Sequence, residues 1–159
     1  MSDERALAAF DADWNALLTL ETQLSAARKQ LGALQGQLQS LNRDLSPDER
    51  LAADNQDKKD WQDARRWLRD ALAIVSRWIR DHDIGMVSAA GNRNRFEQVY
   101  QQHVVPRQPF PGLAAVCQEF EQHRRTAQHL LTQMQSAHQN ASRDGVNRAR
   151  QVLQRIGAK

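Results

Sequence analysis

The stretch "LLTLETQLSAARKQLGALQGQLQSLNRDL", residues 17–45, carries an apolar residue at alternating intervals of three and four positions. This spacing repeats every seven residues and is typical of the a and d positions of a coiled-coil helix. The pattern predicts one long helix over residues 4–45. The apolar stripe is narrow, which favours packing against one or two other helices over packing on a broad core.

A second helix is predicted over residues 47–83. The segment "LSPDER", residues 45–50, places a serine, a proline and a glutamate where a capping box and a first helical turn need them. Further along, "WQDARRWLRDALAIVSRWIR" at residues 61–80 presents a wide apolar arc at helical spacing. Trp61, Trp67 and Trp78 fall inside this arc. We expect the two helices to form an antiparallel hairpin.

Part of the leucine stripe lacks an apolar counterpart in this hairpin. Residues 52–60 of the second helix are polar nearly all round, so they give the first helix little apolar surface. An uncovered apolar stripe usually marks an interaction surface. The sequence therefore predicts that a second chain completes the stripe, through self-association or through a helix of a partner protein. The predicted contact residues are Leu17, Leu20, Leu24, Leu31, Leu34, Leu38 and Leu41.

The rest of the chain predicts shorter helices. "HDIGMVSAAGNRN", residues 82–94, contains two glycines and is predicted to be a loop. A short helix over 94–105 ends at "PRQPFPG", a helix over 112–139 breaks around "NASRDG", and a basic helix over 143–157 follows. The prediction is a single all-α domain, residues 1–159, with about five helices. It comprises a long, coiled-coil-like antiparallel hairpin and a smaller cluster of C-terminal helices at its Trp-rich end.

Charge is distributed unevenly along the chain. The formal net charge is +3, yet residues 1–60 hold 7 Lys and Arg against 11 Asp and Glu, and residues 61–159 hold 15 against 8. Eighteen of the 22 basic residues are arginine, a bias that suits phosphate or carboxylate contacts and that a GC-rich, bacterial-type genome also produces. The acidic N-terminus and the absence of a long apolar run predict a cytoplasmic protein that does not insert into membranes.

Several arginines are candidates for binding an anion such as nucleic-acid phosphate. On the second helix, Arg65, Arg69 and Arg80 have no carboxylate four residues away and lie beside the apolar arc. Because the tryptophans fall inside the arc, base stacking is disfavoured and contact with the backbone, without sequence readout, is the better interpretation. The predicted residues are Arg65, Arg69, Arg80, Arg93, Arg95, Arg125, Arg148 and Arg155.

No pattern of catalytic or metal-binding residues is recognisable. The five histidines form no metal-ligand spacing, and the lone Cys117 falls on the apolar side of its helix, as a buried structural thiol would. No P-loop, dinucleotide or nucleophile-elbow motif occurs. Arg124 and Asp13 each interrupt an apolar stripe, which suggests that they pair with one another. We expect no enzyme activity, no metal, no cofactor and no small-molecule substrate.

Two functional hypotheses follow. The first is a non-enzymatic helical assembly or adaptor subunit that associates through its coiled-coil surface. The alternative is an accessory subunit of a nucleoprotein complex that grips DNA or RNA backbone through the arginines.

Overall fold

The computed structural model of the chain describes residues 2–45 and 55–157. Helix α1 spans Asp3–Leu45, and helix α2 spans Asn55–Val99 and continues into a π-helical turn, Tyr100–Val104. Helix α3, Leu113–Ala141, continues through a π-helical segment, Ser142–Asn147, into helix α4, Arg148–Gly157. Over these ranges there is no strand, which confirms the all-α prediction, and no helix is both long and apolar enough to span a membrane.

The described chain forms three continuous helical segments, so the prediction of about five helices was wrong. Residues 82–94 are helical rather than a loop, because a glycine in a helix costs only about 1 kcal/mol and neighbouring packing can offset it. The predicted break at "NASRDG" is a change from α to π winding without interruption. The prediction of a separate cluster of short C-terminal helices was also wrong, because Leu113–Gly157 forms one continuous helical segment. The predicted cap at residues 46–49 lies outside the described residues.

The proline-rich connector was predicted correctly. After the π-helical turn, the backbone amide of Gln108 donates to the carbonyl of His103 at 2.8 Å. Arg107 adopts a left-handed conformation with a φ of 57°, as the residue just past a helix end commonly does. Helix α3 then begins at Leu113.

The chain divides into two compact units. Unit 1 comprises residues 1–26 and 82–132, and unit 2 comprises residues 27–81 and 133–159. In unit 1, Asp11 meets Tyr100 and Glu21 meets Arg93, so α1 and α2 run antiparallel. The α1 and α3 segments run parallel, since Ala6 meets Cys117 and Asp13 meets Arg124. The Arg124 Nε donates to Asp13 Oδ1 at 2.9 Å, which confirms the predicted pair.

Aromatic rings fill the core of unit 1. The ring of Phe120, from α3, stacks on Phe10 of α1 with centroids 4.4 Å apart and lies 4.8 Å from Phe96 of α2. Trp14 stacks on Tyr100 at 4.9 Å, and the Tyr100 hydroxyl donates to Asp11 at 2.9 Å. This hydrogen bond, together with burial, raises the pKa of Tyr100. One face of each helix therefore contributes rings to a single cluster.

Leucines and alanines fill the core of unit 2. Its α1 residues Leu31, Leu34, Leu38 and Leu41 are all at most 9% exposed. Trp61, Leu68 and Val75 from α2 are buried in the same unit, as are Met134, Val146, Val152 and Ile156 from the third segment. Leu17, Leu20 and Leu24 are likewise buried in unit 1.

The premise of an uncovered leucine stripe was therefore wrong. The predicted hairpin paired the first helix only with the second. In unit 2, residues of the third helical segment also contribute to the core, so the polar start of α2 does not leave the leucines exposed. Burial of these side chains requires no second chain. Association of two chains through these leucines remains a prediction. It would require the helices that bury them to separate.

Candidate functional site

Unit 1 contains an open apolar groove with a volume of about 250 Å³. We call it the unit 1 groove. Helix α1 contributes Leu17, Glu21 and Leu24, and α3 contributes residues between His123 and Leu130. Helix α2 contributes Gly85, Met86, Ala89, Ala90, Arg93 and Asn94. All three helical segments of the unit thus line one cavity.

The groove exists because α2 carries small residues where a core would need large ones. Between His82 and Phe96, both buried, the groove-lining positions of α2 include Gly85, Ala89 and Ala90. Leu17 and Leu24 are buried on α1, but the facing side chains are too short to fill the space. Met86, the largest apolar side chain that α2 offers here, is 38% exposed. A core packed to ordinary density would leave no such gap.

A fixed ion pair closes one end of the groove. The guanidinium of Arg93 donates to Glu21 through Nε at 3.0 Å and Nη2 at 3.2 Å, and to Glu97 through Nη1 at 2.5 Å. Its central carbon lies 5.0 Å from the centroid of Trp14. Two carboxylates against one guanidinium give this end a net negative charge. A guanidinium group that is bonded to carboxylates through several nitrogens and stacked on an aromatic ring has little freedom to move. The charges of this cluster therefore have defined positions.

His123 lies beside this ion pair and adds no compensating charge. Burial lowers the pKa of His123, the charge of Arg93 lowers it further, and Glu21 opposes both effects. The ring packs 5.3 Å from the ring of Phe96. Since an ordinary histidine pKa is about 6.5, the imidazole is neutral at pH 7. The groove is therefore apolar along its length and acidic at one end.

Helix α2 also carries exposed apolar residues near the groove. Ile84 is 58% exposed and Val87 is 79% exposed, while the neighbouring Ser88 and Gly91 add little bulk. At about 100° per residue, Val87 lies beside Ala90 and Asn94 of the lining, whereas Ile84 points away from the groove. Single exposed apolar residues are common, but exposed Met86 in the lining and exposed Val87 at its edge extend the apolar surface of the cavity, as is found at interaction sites. Because residues 82–94 were predicted to be a loop, sequence reasoning missed this surface. The run "IGMVSAAG" was its only signal.

The arginines predicted to bind anions do not converge on one site. At least five of the eight have a carboxylate within 4.0 Å: Arg80 (Asp81), Arg93 (Glu21 and Glu97), Arg95 (Glu119), Arg125 (Glu121) and Arg155 (Asp57 and Asp60). The expectation that Arg80 has no local partner was wrong, because Asp81 lies 4.0 Å away. Arg65 is half-buried and engaged within the chain, whereas Arg69 is exposed. Phosphate would have to compete with most of these carboxylates.

Two tryptophans and two arginines lie closer together than the sequence predicted. Trp61 is buried, but Trp67 and Trp78 are only half-buried. The guanidinium of Arg148 lies 4.6 Å from the ring centroid of Trp67, and that of Arg77 lies 5.2 Å from that of Trp78. The predicted separation of Trp rings from arginines was therefore wrong for these two. Rings at the edge of the apolar arc are reached by long side chains from α2 itself and from α4.

The described residues contain no group of three or more His, Cys, Asp or Glu side chains that could hold a metal ion. Cys117 is buried, as predicted, and its Sγ donates to the carbonyl oxygen of Ala6 at 3.3 Å. Burial raises the pKa of the Cys117 thiol, and the negative charge of Asp13 adds to this effect. The thiolate is therefore disfavoured.

We expect Cys117 of the folded protein to react with a disulfide reagent at pH 8 at least about tenfold more slowly than in denaturant, because the thiolate is the reactive form. The rate is measured from the absorbance of the released thiolate. A folded-state rate equal to that of a small free thiol would contradict the buried position.

Comparisons with models of protein families, with curated proteins and with solved structures gave no match to this chain.

Proposed function

We propose that this protein is a non-enzymatic helical adaptor subunit that binds one amphipathic, basic helix of a protein partner in the unit 1 groove. The observation that carries the proposal is the open apolar groove with exposed Met86 in its lining and exposed Val87 at its edge. The binding surface thus differs from the leucine stripe that the sequence suggested. Helix-in-groove recognition uses apolar anchors on one face of the bound helix.

The size of the groove favours side chains over a free small molecule. Its volume of about 250 Å³ lies below the roughly 300–1,000 Å³ typical of small-molecule pockets. It suits one or two large apolar side chains instead. Val87 lies outside the cavity lining, so an occupant of the cavity alone would leave it in water, whereas a helix lying along α2 at the groove edge would cover it. A helix therefore uses more of the apolar surface than a ligand would.

Charge complementarity favours a basic helix. Glu21 and Arg93 line the groove, and Glu97, just outside the lining, also pairs with Arg93, so this cluster carries one net negative charge. Residues 1–26 and 82–132, which form unit 1, contain nine Asp and Glu against six Arg. A lysine or arginine beside the apolar anchors of the partner helix would gain from this field, and complementary charge also speeds association.

The test is a titration with a labelled amphipathic Leu/Lys peptide of about 18 residues, or five helical turns, followed by fluorescence anisotropy. Substitution of Ala90, an exposed residue that lines the groove, by glutamate is expected to weaken binding at least about tenfold, because the larger charged side chain stands where the apolar anchors of the partner would enter. Ser88→Glu, on the same helix but away from the lining, is the matched control. It should leave the affinity unchanged or raise it slightly.

The two variants separate a groove from a merely acidic surface. If the peptide bound only through charge, both added carboxylates would tighten binding. Equal strengthening by Ala90→Glu and Ser88→Glu would therefore disprove the proposal, as would the absence of any binding at low salt.

Binding of nucleic-acid backbone stays the alternative prediction. Exposed Arg69 and the exposed guanidinium of Arg148 are the residues that support it best. Titration with single- and double-stranded DNA and with RNA at two salt concentrations tests it. Phosphate contacts would make the affinity fall steeply with salt, and no binding at low salt would exclude this function.

A further inference from the structure

We infer that the helix that occupies the unit 1 groove belongs to a second copy of this chain, which presents the unit 2 part of α2. This inference rests on the proposed function of the groove and names its partner. The two surfaces differ, so each copy offers one groove and one helix face. We call the second surface the unit 2 anchor face and define it by Trp67, Ile74 and Trp78.

The anchor face has the spacing that a groove-binding helix needs. Trp67, Ile74 and Trp78 are separated by seven and four positions, which places them on one side of α2. Ile74 is 47% exposed, and it is the only large apolar side chain of unit 2, among the described residues, with more than a third of its surface in water. Both tryptophans are half-buried, so their rings are partly accessible on either side of it. Tryptophan is over-represented among the residues that dominate binding energy.

The charges of the anchor face complement those of the groove. Arg77 and Arg148 stack over Trp78 and Trp67, and they carry guanidinium groups to the rim of the apolar face. Arg148 is exposed, and the Arg77 side chain is 63% exposed. Residues 27–81 and 133–159 contain sixteen Lys and Arg against ten Asp and Glu, opposite in sign to unit 1. Arginines that already pack on their own tryptophans lose little further freedom when they meet carboxylates.

The acidic residues near this face do not cancel the effect. Asp63 pairs with Arg66 at 3.3 Å, and Asp81 pairs with Arg77 at 3.6 Å. Asp70 is exposed at the side of the face. Asp144, the acid near Arg148, pairs with Arg143 at 3.0 Å. Arg148, on α4, thus supplies positive charge beyond these local pairs.

A contact between two different surfaces is heterologous. Unless its rotation closes a ring, it adds copies one after another. We therefore expect the average mass of the pure protein to rise with concentration from about 1 µM to about 1 mM, beyond that of a dimer. Salt should oppose this association, because about 1 M salt reduces the Debye length to about 3 Å.

The decisive experiment mixes two variants in sedimentation velocity runs. Ala90→Glu blocks the groove and keeps the anchor face, and Ile74→Glu does the reverse. Each variant alone should be a monomer. An equimolar mixture should form a heterodimer and nothing larger, because one intact groove and one intact anchor face remain. Ser88→Glu and Ala73→Glu, exposed neighbours on the same helix, should associate as the unaltered protein does.

Each outcome decides a different point. A protein that stays monomeric at about 1 mM, or a mixture of the two variants that stays monomeric, would overturn the inference. If the Leu/Lys peptide still bound the groove in an Ala90-dependent manner, the proposed function would survive that result. If Ala90→Glu left peptide binding intact, the proposed function itself would fail. Circular dichroism of every variant checks that loss of association does not come from loss of fold.

Discussion

Replacement of Phe120 by alanine is expected to lower the free energy of unfolding by about 3–5 kcal/mol. The Phe120 side chain is fully buried and lies between rings from both other helices of unit 1. Its centroid lies 4.4 Å from that of Phe10, 4.8 Å from Phe96 and 6.1 Å from Trp14. Truncation therefore removes buried apolar surface, leaves a cavity and separates three aromatic pairs at once.

Urea denaturation followed by far-ultraviolet circular dichroism measures this effect. Gln118→Ala, exposed on the same helix, is the control and should change the stability by at most about 0.5 kcal/mol. Equal midpoints for the two variants would show that the ring cluster does not form the core of unit 1. A broadened transition for Phe120→Ala alone would still support the cluster, since it would indicate that unit 1 unfolds before the rest.

The second large effect is expected at Gly145, where alanine should destabilise the protein by about 1–3 kcal/mol. A Cβ atom at this position would lie 2.7 Å from the Cβ of Ala71 and 3.1 Å from the Cδ2 of Leu38. The Leu38 methyl can rotate away, but the Ala71 Cβ is fixed to the backbone and cannot move without it. The helices would have to separate, and this cost exceeds the gain of about 1 kcal/mol that alanine brings inside a helix.

Gly36 provides a control with the opposite sign. A Cβ atom there would meet nothing within 4 Å, so Gly36→Ala is expected to stabilise the protein by up to about 1 kcal/mol. The Ala71→Gly and Gly145→Ala double variant should recover part of the loss, because it removes the nearest clashing atom. A favourable coupling of about 0.5 kcal/mol or more in this double-mutant cycle would confirm the close approach. Stabilisation by Gly145→Ala would disprove it.

Periodicity predicted the first helix well and failed where glycines or a change of winding interrupted the pattern. The heptads of residues 17–45 predicted α1 to within one residue, because a narrow stripe with regular spacing has one structural interpretation. Residues 82–94 misled the prediction, since two glycines weigh more in a local argument than in a helix held by its neighbours. The change to π winding at Ser142–Asn147 was read as a break for the same reason.

An ion pair between distant residues was predictable only where both charged residues interrupted an apolar stripe. Asp13 and Arg124 each stood in an apolar stripe, and the cost of burying one charge alone pointed to the other. The groove offered no such signal. It exists because the side chains at Gly85, Ala89 and Ala90 are small. A sequence does not show whether side chains from neighbouring helices fill the space beside a small residue. The sequence likewise does not reveal that Glu21 pairs with Arg93 or Asp57 with Arg155, because these partners lie 72 and 98 residues apart in the chain.

The number of residues in the π-helical segment, Ser142–Asn147, determines which face of α4 is turned toward the core. Ala137, Ala141, Gly145 and Ala149 are buried at a constant interval of four residues. In an α-helix this interval would turn the buried face by about 40° at each step, and the wider winding of Ser142–Asn147 absorbs that rotation. Loss of one codon from this segment would rotate every later side chain by about 100°. Val152 and Ile156 would then leave the core, so we expect a change in the length of this segment to cost more stability than substitutions at its exposed positions.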